Sequence, residues 1–364
     1  MHLFADISSH GFGHLAISAP ILNRLAECLP GLRLTIRTGL PPRKLAERVH
    51  VPHTLIPQSS DFGFTMIDTM RVDVRASADA YRAAHRDWPR RVADEATLVQ
   101  TLAPDLVFSN VSYLPLAGAA LAGIPAFAIG PLNWADLFAH YYAGEAWSRP
   151  IHAEMLAAYR SARAFLRITP GMPMPDLAQN LVEIGPVSIA GKPQALGEPG
   201  MRNIVIAMGG IDHRLPLENW PRLPGIRWIV PRAWQCVHPD AVDMESLGIA
   251  FTDLLASVDA VITKPGYGTF TEAACNGTPV LYQRREDWPE QACLIDWLNE
   301  NGRCRQVPAA RLGDGELRAD LDALWAMPPR PRPAADGVRQ AAELIAAGIR
   351  NASAARPPRT PAGP

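Results

Sequence analysis

Short apolar runs alternate with amphipathic stretches from one end of the 364-residue chain to the other, and this alternation limits the fold more than any other feature. An apolar run flanked by helical segments is a strand covered on both faces, the condition of a parallel sheet with helices on either side. In the first half the spacing predicts strands near 2–7, 32–38, 105–111, 125–130 and 164–169, with helices near 14–29, 42–49, 75–103, 115–123 and 150–163. The second half restarts at 203–208, 226–231, 260–264 and 278–283, with helices near 268–276, 290–301 and 315–326. The pattern is that of two successive doubly wound α/β units.

Between them, glycines and prolines interrupt both periodicities over 184–202, whose few apolar residues do not promise a buried element. The expected division is a domain over 1–185, a linker over 186–202, a second domain over 203–328 and a Pro/Arg-rich tail over 329–364 with a helix near 335–350. The tail holds six arginines against two acidic residues, so a solvated end is the plain expectation and contact with an anionic surface the alternative. Over the whole chain 35 basic and 36 acidic side chains nearly cancel, and no field draws the protein to nucleic acid. Five cysteines, at 28, 236, 275, 293 and 304, form no C-x-x-C pair, which suits a reducing, cytoplasmic setting. The chain opens without a basic stretch leading into an apolar run, and it lacks the roughly 18 apolar residues of a membrane span.

Two turns carry chemistry. The first, Ser8-Ser9-His10-Gly11-Phe12-Gly13-His14, falls where strand one gives way to helix one, at the edge of the crevice that open α/β sheets form. Gly11, Phe12 and Gly13 let backbone approach a ligand, and His14, with His10 beside it, is suited to take a proton from a hydroxyl. The same letters satisfy G-x-G-x-x-A, so a dinucleotide enzyme is an alternative, with Arg37 taking a 2′-phosphate where the fingerprint expects an acid.

The second turn runs Lys264-Pro265-Gly266-Tyr267-Gly268-Thr269 into a helix, after the run AVIT. Backbone N–H groups of Gly266, Tyr267 and Gly268, the Thr269 hydroxyl and the Lys264 ammonium make a seat for a diphosphate at a helix N-terminus. Glu272, one turn on, is placed to accept from a ribose diol. Asp287, Glu290 and Gln291 follow the next strand to the same sheet edge and offer partners for a sugar. A third turn, Met208-Gly209-Gly210, is expected to face Lys264 across the crevice and add N–H donors.

The stretch K-P-G-Y-G-T-F-T-E-A-A-C-N-G-T-P-V-L, with R-R-E-D-W-P-E-Q after it, resembles the donor-site segment of GT-B glycosyltransferases. It is similar to the family of the lipid II N-acetylglucosaminyltransferase, and closer still to the glycosyltransferase-like half of plant arabinokinases; His10-Gly11-Phe12-Gly13-His14 resembles their N-terminal turn. The resemblance implies two Rossmann-like domains facing a central cleft. It gives Gly266, Gly268 and Thr269 to the nucleotide diphosphate, Glu272 to the ribose, Gln291 with Asp287 or Glu290 to the donor sugar, and His14 to the acceptor hydroxyl. The activity implied is sugar transfer from a nucleotide-diphosphate sugar, UDP-sugar favoured, to an acceptor hydroxyl. A nucleotide-sugar hydrolase or epimerase, or a non-catalytic nucleotide-sugar-binding protein, is the alternative.

No resident cofactor and no metal site is expected. Asp320-Leu321-Asp322 lies in a helical stretch, where positions i and i+2 diverge, and reads as solvated surface. The acceptor is expected on the first domain, where Trp134 and other aromatics crowd the loop-like stretch 131–149. Its identity stays open between a small-molecule and a lipid-linked glycan, the latter reached by peripheral contact with the inner membrane face.

Overall fold

The computed structural model describes residues 1–197, 200–209 and 213–355, which build two wholly parallel sheets. The first contains β1 (His2–Ile7), β2 (Arg33–Arg37), β3 (Thr54–Ile56), β4 (Leu106–Asn110), β5 (Ala126–Gly130), β6 (Ala164–Ile168) and β7 (Leu181–Ile184), in the order β3-β2-β1-β4-β5-β6-β7. The second contains β8 (Arg202–Ala207), β9 (Ile226–Val230), β10 (Ala241–Asp243), β11 (Ala260–Thr263), β12 (Val280–Tyr282) and β13 (Cys304–Gln306), in the order β10-β9-β8-β11-β12-β13. Central strands such as β1 and β4 are buried along their whole length, which is why they read as continuous apolar runs. β3, β7, β10 and β13 were not expected from the sequence, and all four are sheet edges of three or four residues. Covered on fewer sides, an edge strand carries no such run.

The chain winds outward in opposite directions from β1 and β4, and again from β8 and β11. Loops leaving the carboxyl ends of these neighbouring strands diverge, so a crevice opens at each pair. These two crevices are where the glycine turns lie.

Three local expectations change. The single helix expected over 75–103 is two, Val74–His85 and Trp88–Leu102, because Pro89 fits only the first turn of a new helix. The loop-like stretch 131–149, for which ordinary helix packing was the alternative, contains the helix Trp134–Tyr142, started by Asn133, whose side chain accepts from the Asp136 N–H at 2.8 Å. Asp320 is not solvated: it is buried and paired with Arg305 and Arg311 at 3.2 Å each, while Asp322 reaches the exposed Arg318.

The linker is also more firmly held than its composition suggested. Val187 is buried, and its N–H donates to the Tyr267 hydroxyl at 2.8 Å. The final helix, Gly337–Ala355, starts beside the linker with the Gly337 N–H on the Pro186 carbonyl, and packs along the first helix, Phe12–Cys28. One apolar cluster runs from Leu15 and Ile17 of that first helix to Tyr267, Phe270 and Ala273 of the second domain.

Candidate active site

β1 ends at Ile7, opposite Asn110 at the end of β4, so the first glycine turn and Asn110 share one crevice. Gly11 precedes the first helix without a side chain to cap it, which leaves first-turn N–H groups for a ligand. His14 is buried in the next turn, with Nδ1 2.9 Å from Asn110 Oδ1. Asn110 Nδ2 faces the His14 carbonyl at 3.0 Å and Ser18 Oγ at 2.8 Å. A carbonyl only accepts, so the amide nitrogen is fixed there and Oδ1 must face the imidazole. The His14 proton therefore sits on Nδ1 and the lone pair on Nε2. Burial lowers the His14 pKa to about 4, so this tautomer persists at neutral pH.

His10 donates from Nε2 to the Phe64 carbonyl at 3.1 Å. Burial, with help from His14 and Arg285, holds it down to about 3. Its ring stacks on Trp288 of the second domain, centroids 5.8 Å apart, and meets the edge of Trp134 at 5.2 Å.

The second crevice repeats the plan. Thr263 at the end of β11 pairs with Ala207 at the end of β8, which brings Lys264 beside Gly209. A Cβ on Gly209, whose φ of +99° already favours glycine, would lie 3.5 Å from Lys264 Nζ, and one on Gly266 would lie 3.6 Å from it. The ammonium is thus held between the two turns, and no hydrogen bond to it is seen among the described residues. Burial, then the nearby Arg285, brings its pKa down to about 7. Arg285 is buried, pushed down to about 10 mainly by desolvation, with its guanidinium 3.9 Å over the Trp288 ring. Gly266 leaves the helix Tyr267–Asn276 without a side-chain cap. That helix starts against the first one, since a Cβ on Gly268 would lie 3.5 Å from Ala16 Cβ and 3.9 Å from Gly13 Cα. Two uncapped helix N-termini and two cations that share the one buried carboxylate of Glu290 therefore crowd one seam, an arrangement that favours an anion.

Other expected site residues have partners within the chain. Glu272 is buried and accepts from Arg48 Nη1 of the first domain at 3.0 Å. The Tyr267 hydroxyl is turned to the linker, accepting from Val187 and donating to the Thr169 carbonyl at 3.1 Å. Gln291 grips the Arg285 backbone at both ends of its amide. Glu290 accepts from Trp288 Nε1 at 2.9 Å, and burial raises its pKa. Asp287 is exposed and meets His140 at 2.8 Å, its carbonyl accepting from the Tyr141 hydroxyl. Trp134 is fully buried, Phe12 lies exposed under Lys44, and Thr269 borders the seam without a hydrogen bond among the described residues. Gly210 lies outside the described residues. Arg37, weighed for a 2′-phosphate, is enclosed by Asp6 at 2.5 Å and both oxygens of Glu95, leaving no charge for a cofactor.

The architecture is shared by solved structures over nearly the whole chain. The glycotransferase of kitacinnamycin superposes with a TM-score of 0.62 at 17% identity, covering 97% of each chain. The calicheamicin glycosyltransferase CalG4 gives 0.59 at 17% identity over 96% of this chain and 94% of that one. The fold is GT-B. A putative UDP-N-acetylglucosamine 2-epimerase from Listeria monocytogenes has it as well, at 0.56 and 13% identity over 98% and 97%. In sequence the chain is 22% identical over 312 residues to the L-arabinokinase of Arabidopsis thaliana, across 80% of its own length but only 29% of that protein's. No protein-family model matches it.

In this GT-B frame the seam between domains contains residues the motifs did not single out. Asn110 had a signal, a polar residue ending a buried strand beside β1. Arg48 had none of its own, because only folding brings it to Glu272, and Trp288 lay unremarked inside the R-R-E-D-W-P-E-Q segment.

Proposed function

We propose that the chain is a glycosyltransferase that moves a sugar from a nucleoside-diphosphate sugar, UDP-sugar favoured, to an acceptor hydroxyl without a metal ion. The observation that carries this reading is Lys264, a half-buried ammonium set between Gly209 and Gly266 at an uncapped helix N-terminus. Glu290 is the one carboxylate that offsets both this charge and that of Arg285 beside it, and the N–H groups around the ammonium suit a diphosphate. The structural neighbours support it: several solved chains of this fold are titled as glycosyltransferases.

In the reaction the acceptor oxygen attacks the anomeric carbon and its proton passes to His14 Nε2. The bond from that carbon to the diphosphate breaks, and the electron pair stays on the diphosphate facing Lys264 and the helix N-terminus. Glu272 takes the ribose once Arg48 releases it, so the domains must part for the donor to enter. The place of work is the cytoplasm; among the described residues no helix is long and apolar enough to cross a membrane.

A melting-temperature panel of UDP-, GDP-, TDP- and ADP-sugars tests the donor. A UDP-sugar at 100 times its dissociation constant should stabilise the fold by about 2.7 kcal/mol. No shift with any of the four would overturn the reading. Epimerisation is the second reading, because epimerase-titled chains share the fold; conversion of the donor sugar without any acceptor would select it.

A further inference from the structure

Arg285 is held in place from every side, yet its hydrogens are left unused. Thr263 pairs with Tyr282 across β11 and β12, and the Gln283 N–H donates to the Thr263 carbonyl at 3.1 Å, so the loop after β12 starts beside Lys264. Two residues on, the Gln291 amide accepts from the Arg285 N–H at 3.0 Å and donates to its carbonyl at 3.2 Å. The guanidinium lies 3.9 Å over the Trp288 ring. Trp288 is fixed in turn by Glu290 on Nε1 and by the His10 ring stacked on it.

A ring face holds a cation without accepting its in-plane hydrogens, so the planar fork of five N–H donors stays available. Arg285 is only 7% exposed, its Nε–H reaches no acceptor, and no ion pair to its guanidinium is seen among the described residues. Arginines that serve structure here spend their donors on backbone carbonyls, as Arg91 does on Ala84 and Arg160 on Asp176. The nearby carboxylates are engaged elsewhere: Glu290 accepts from the indole and also faces Lys264, and Asp68 accepts from Arg71 and the Met70 N–H. Asp68, Tyr141 and His10 face Arg285 from the first domain, so parting of the domains uncovers it.

The order of groups along the crevice assigns the fork a partner. Glu272 lies one turn into the helix Tyr267–Asn276, Lys264 stands at the glycine turns before that helix, and Arg285 follows on the side of β12. A donor with its ribose at Glu272 and its first phosphate at the helix N-terminus brings its second, sugar-bearing phosphate to Arg285. We propose that Arg285 is the leaving-group residue, its fork donating two N–H bonds to the oxygens of the sugar-bearing phosphate. As the bond from the anomeric carbon to the phosphate oxygen breaks, the electron pair stays on that oxygen and the acceptor's proton passes to His14 Nε2. The nucleoside diphosphate then leaves with one more negative charge than its sugar ester carried, and the fork is aimed at that charge. This role rests on the donor reading above.

Titration calorimetry on the full chain with UDP, GDP, TDP and ADP, each beside its monophosphate, tests it. The diphosphate that wild type binds should bind about tenfold or more above its monophosphate. Arg285→Gln should erase most of that ratio while leaving the monophosphate within about threefold of its wild-type affinity. Arg285→Lys, a point charge in place of a fork, should keep about a third of the ratio or less. Melting temperatures of the ligand-free variants within a few degrees of wild type show that they fold, and if the glutamine variant does not, the lysine variant decides. An unchanged ratio, or both nucleotides weakened equally, would overturn the role of Arg285 and leave the donor reading standing. A wild type that binds none of these nucleotides would remove the donor reading itself and Arg285 with it.

Discussion

Arg48 Nη1 and Glu272 Oε1, one from each domain, meet at 3.0 Å where the donor's ribose is proposed to bind. The carboxylate is buried and the guanidinium only partly exposed, so a ribose diol has to displace a charged partner. Arg48 is well placed to keep the position, because the Asn23 side chain donates to its carbonyl at 2.9 Å.

Arg48→Ala is accordingly expected to tighten binding of a UDP-sugar by about tenfold, since the competent state no longer has to be freed. The same change should lower the stability of the ligand-free chain by about 1–3 kcal/mol, leaving Glu272 buried without a partner. Glu272→Gln should weaken the donor instead. Titration calorimetry on the two variants decides it, and weaker binding by both would mean that Arg48 helps the ligand.

His14→Ala should lower turnover by roughly 10²–10⁴-fold while leaving donor affinity in place. Asn110 is neutral, so its Oδ1 favours an imidazolium only as a hydrogen-bond acceptor on Nδ1 and supplies no charge. Asn110→Asp puts a carboxylate there and is expected to raise the His14 pKa by about 1–3 units. The acid limb of the pH–rate profile should move up by the same amount. An unmoved limb would mean that His14 does not set it.

Lys264, with its pKa near 7, is about half protonated at neutral pH, and a bound diphosphate restores its charge. Donor binding at pH 7 should take up about half a proton, read from calorimetry in buffers of different ionisation enthalpy. Affinity should fall as the pH rises above 7. Lys264→Met should abolish the uptake and weaken the donor, yet leave the ligand-free chain as stable or more so.

Acid should destabilise the fold. His10, His14 and His85 have pKa values of about 3, 4 and 4 in the native state, while the unfolded chain binds protons at each near 6.5. Their contribution is complete above pH 6.5 and is lost as the pH falls towards 4. Asp61, raised to about 6, works the other way below that pH, as do Asp136, Glu154 and Glu290, which burial also raises, while His2 and His213, lowered by burial, add to the histidine side. The three large histidine shifts outweigh the carboxylates and predict a net loss of stability between pH 7 and pH 5. Melting curves at pH 7, 6 and 5 measure it, and His85→Phe should flatten the slope.

The glycine turns after β1 and β11 were legible because local rules write them: a buried strand is an apolar run, and a helix that binds an anion starts on glycine rather than on a capping side chain. The edge strands were not legible, since half-exposed residues such as those of β10 carry no apolar run. Nor did the motifs tell which of their polar groups the fold would take for itself. Tyr267 and Gln291 sit in the right segments, yet the linker and the Arg285 backbone engage them. Gln291 turns back on a backbone only six positions away, whereas Tyr267 and Glu272 are engaged across 80 or more positions, by Val187 and Arg48. The sequence by itself determined two doubly wound domains and the turns at their strand ends, because hydrophobic periodicity and glycine act locally. Only the tertiary structure decided which tautomer His14 adopts, what holds Glu272, and that Lys264 lies between Gly209 and Gly266, because burial and hydrogen-bond geometry belong to the packed chain.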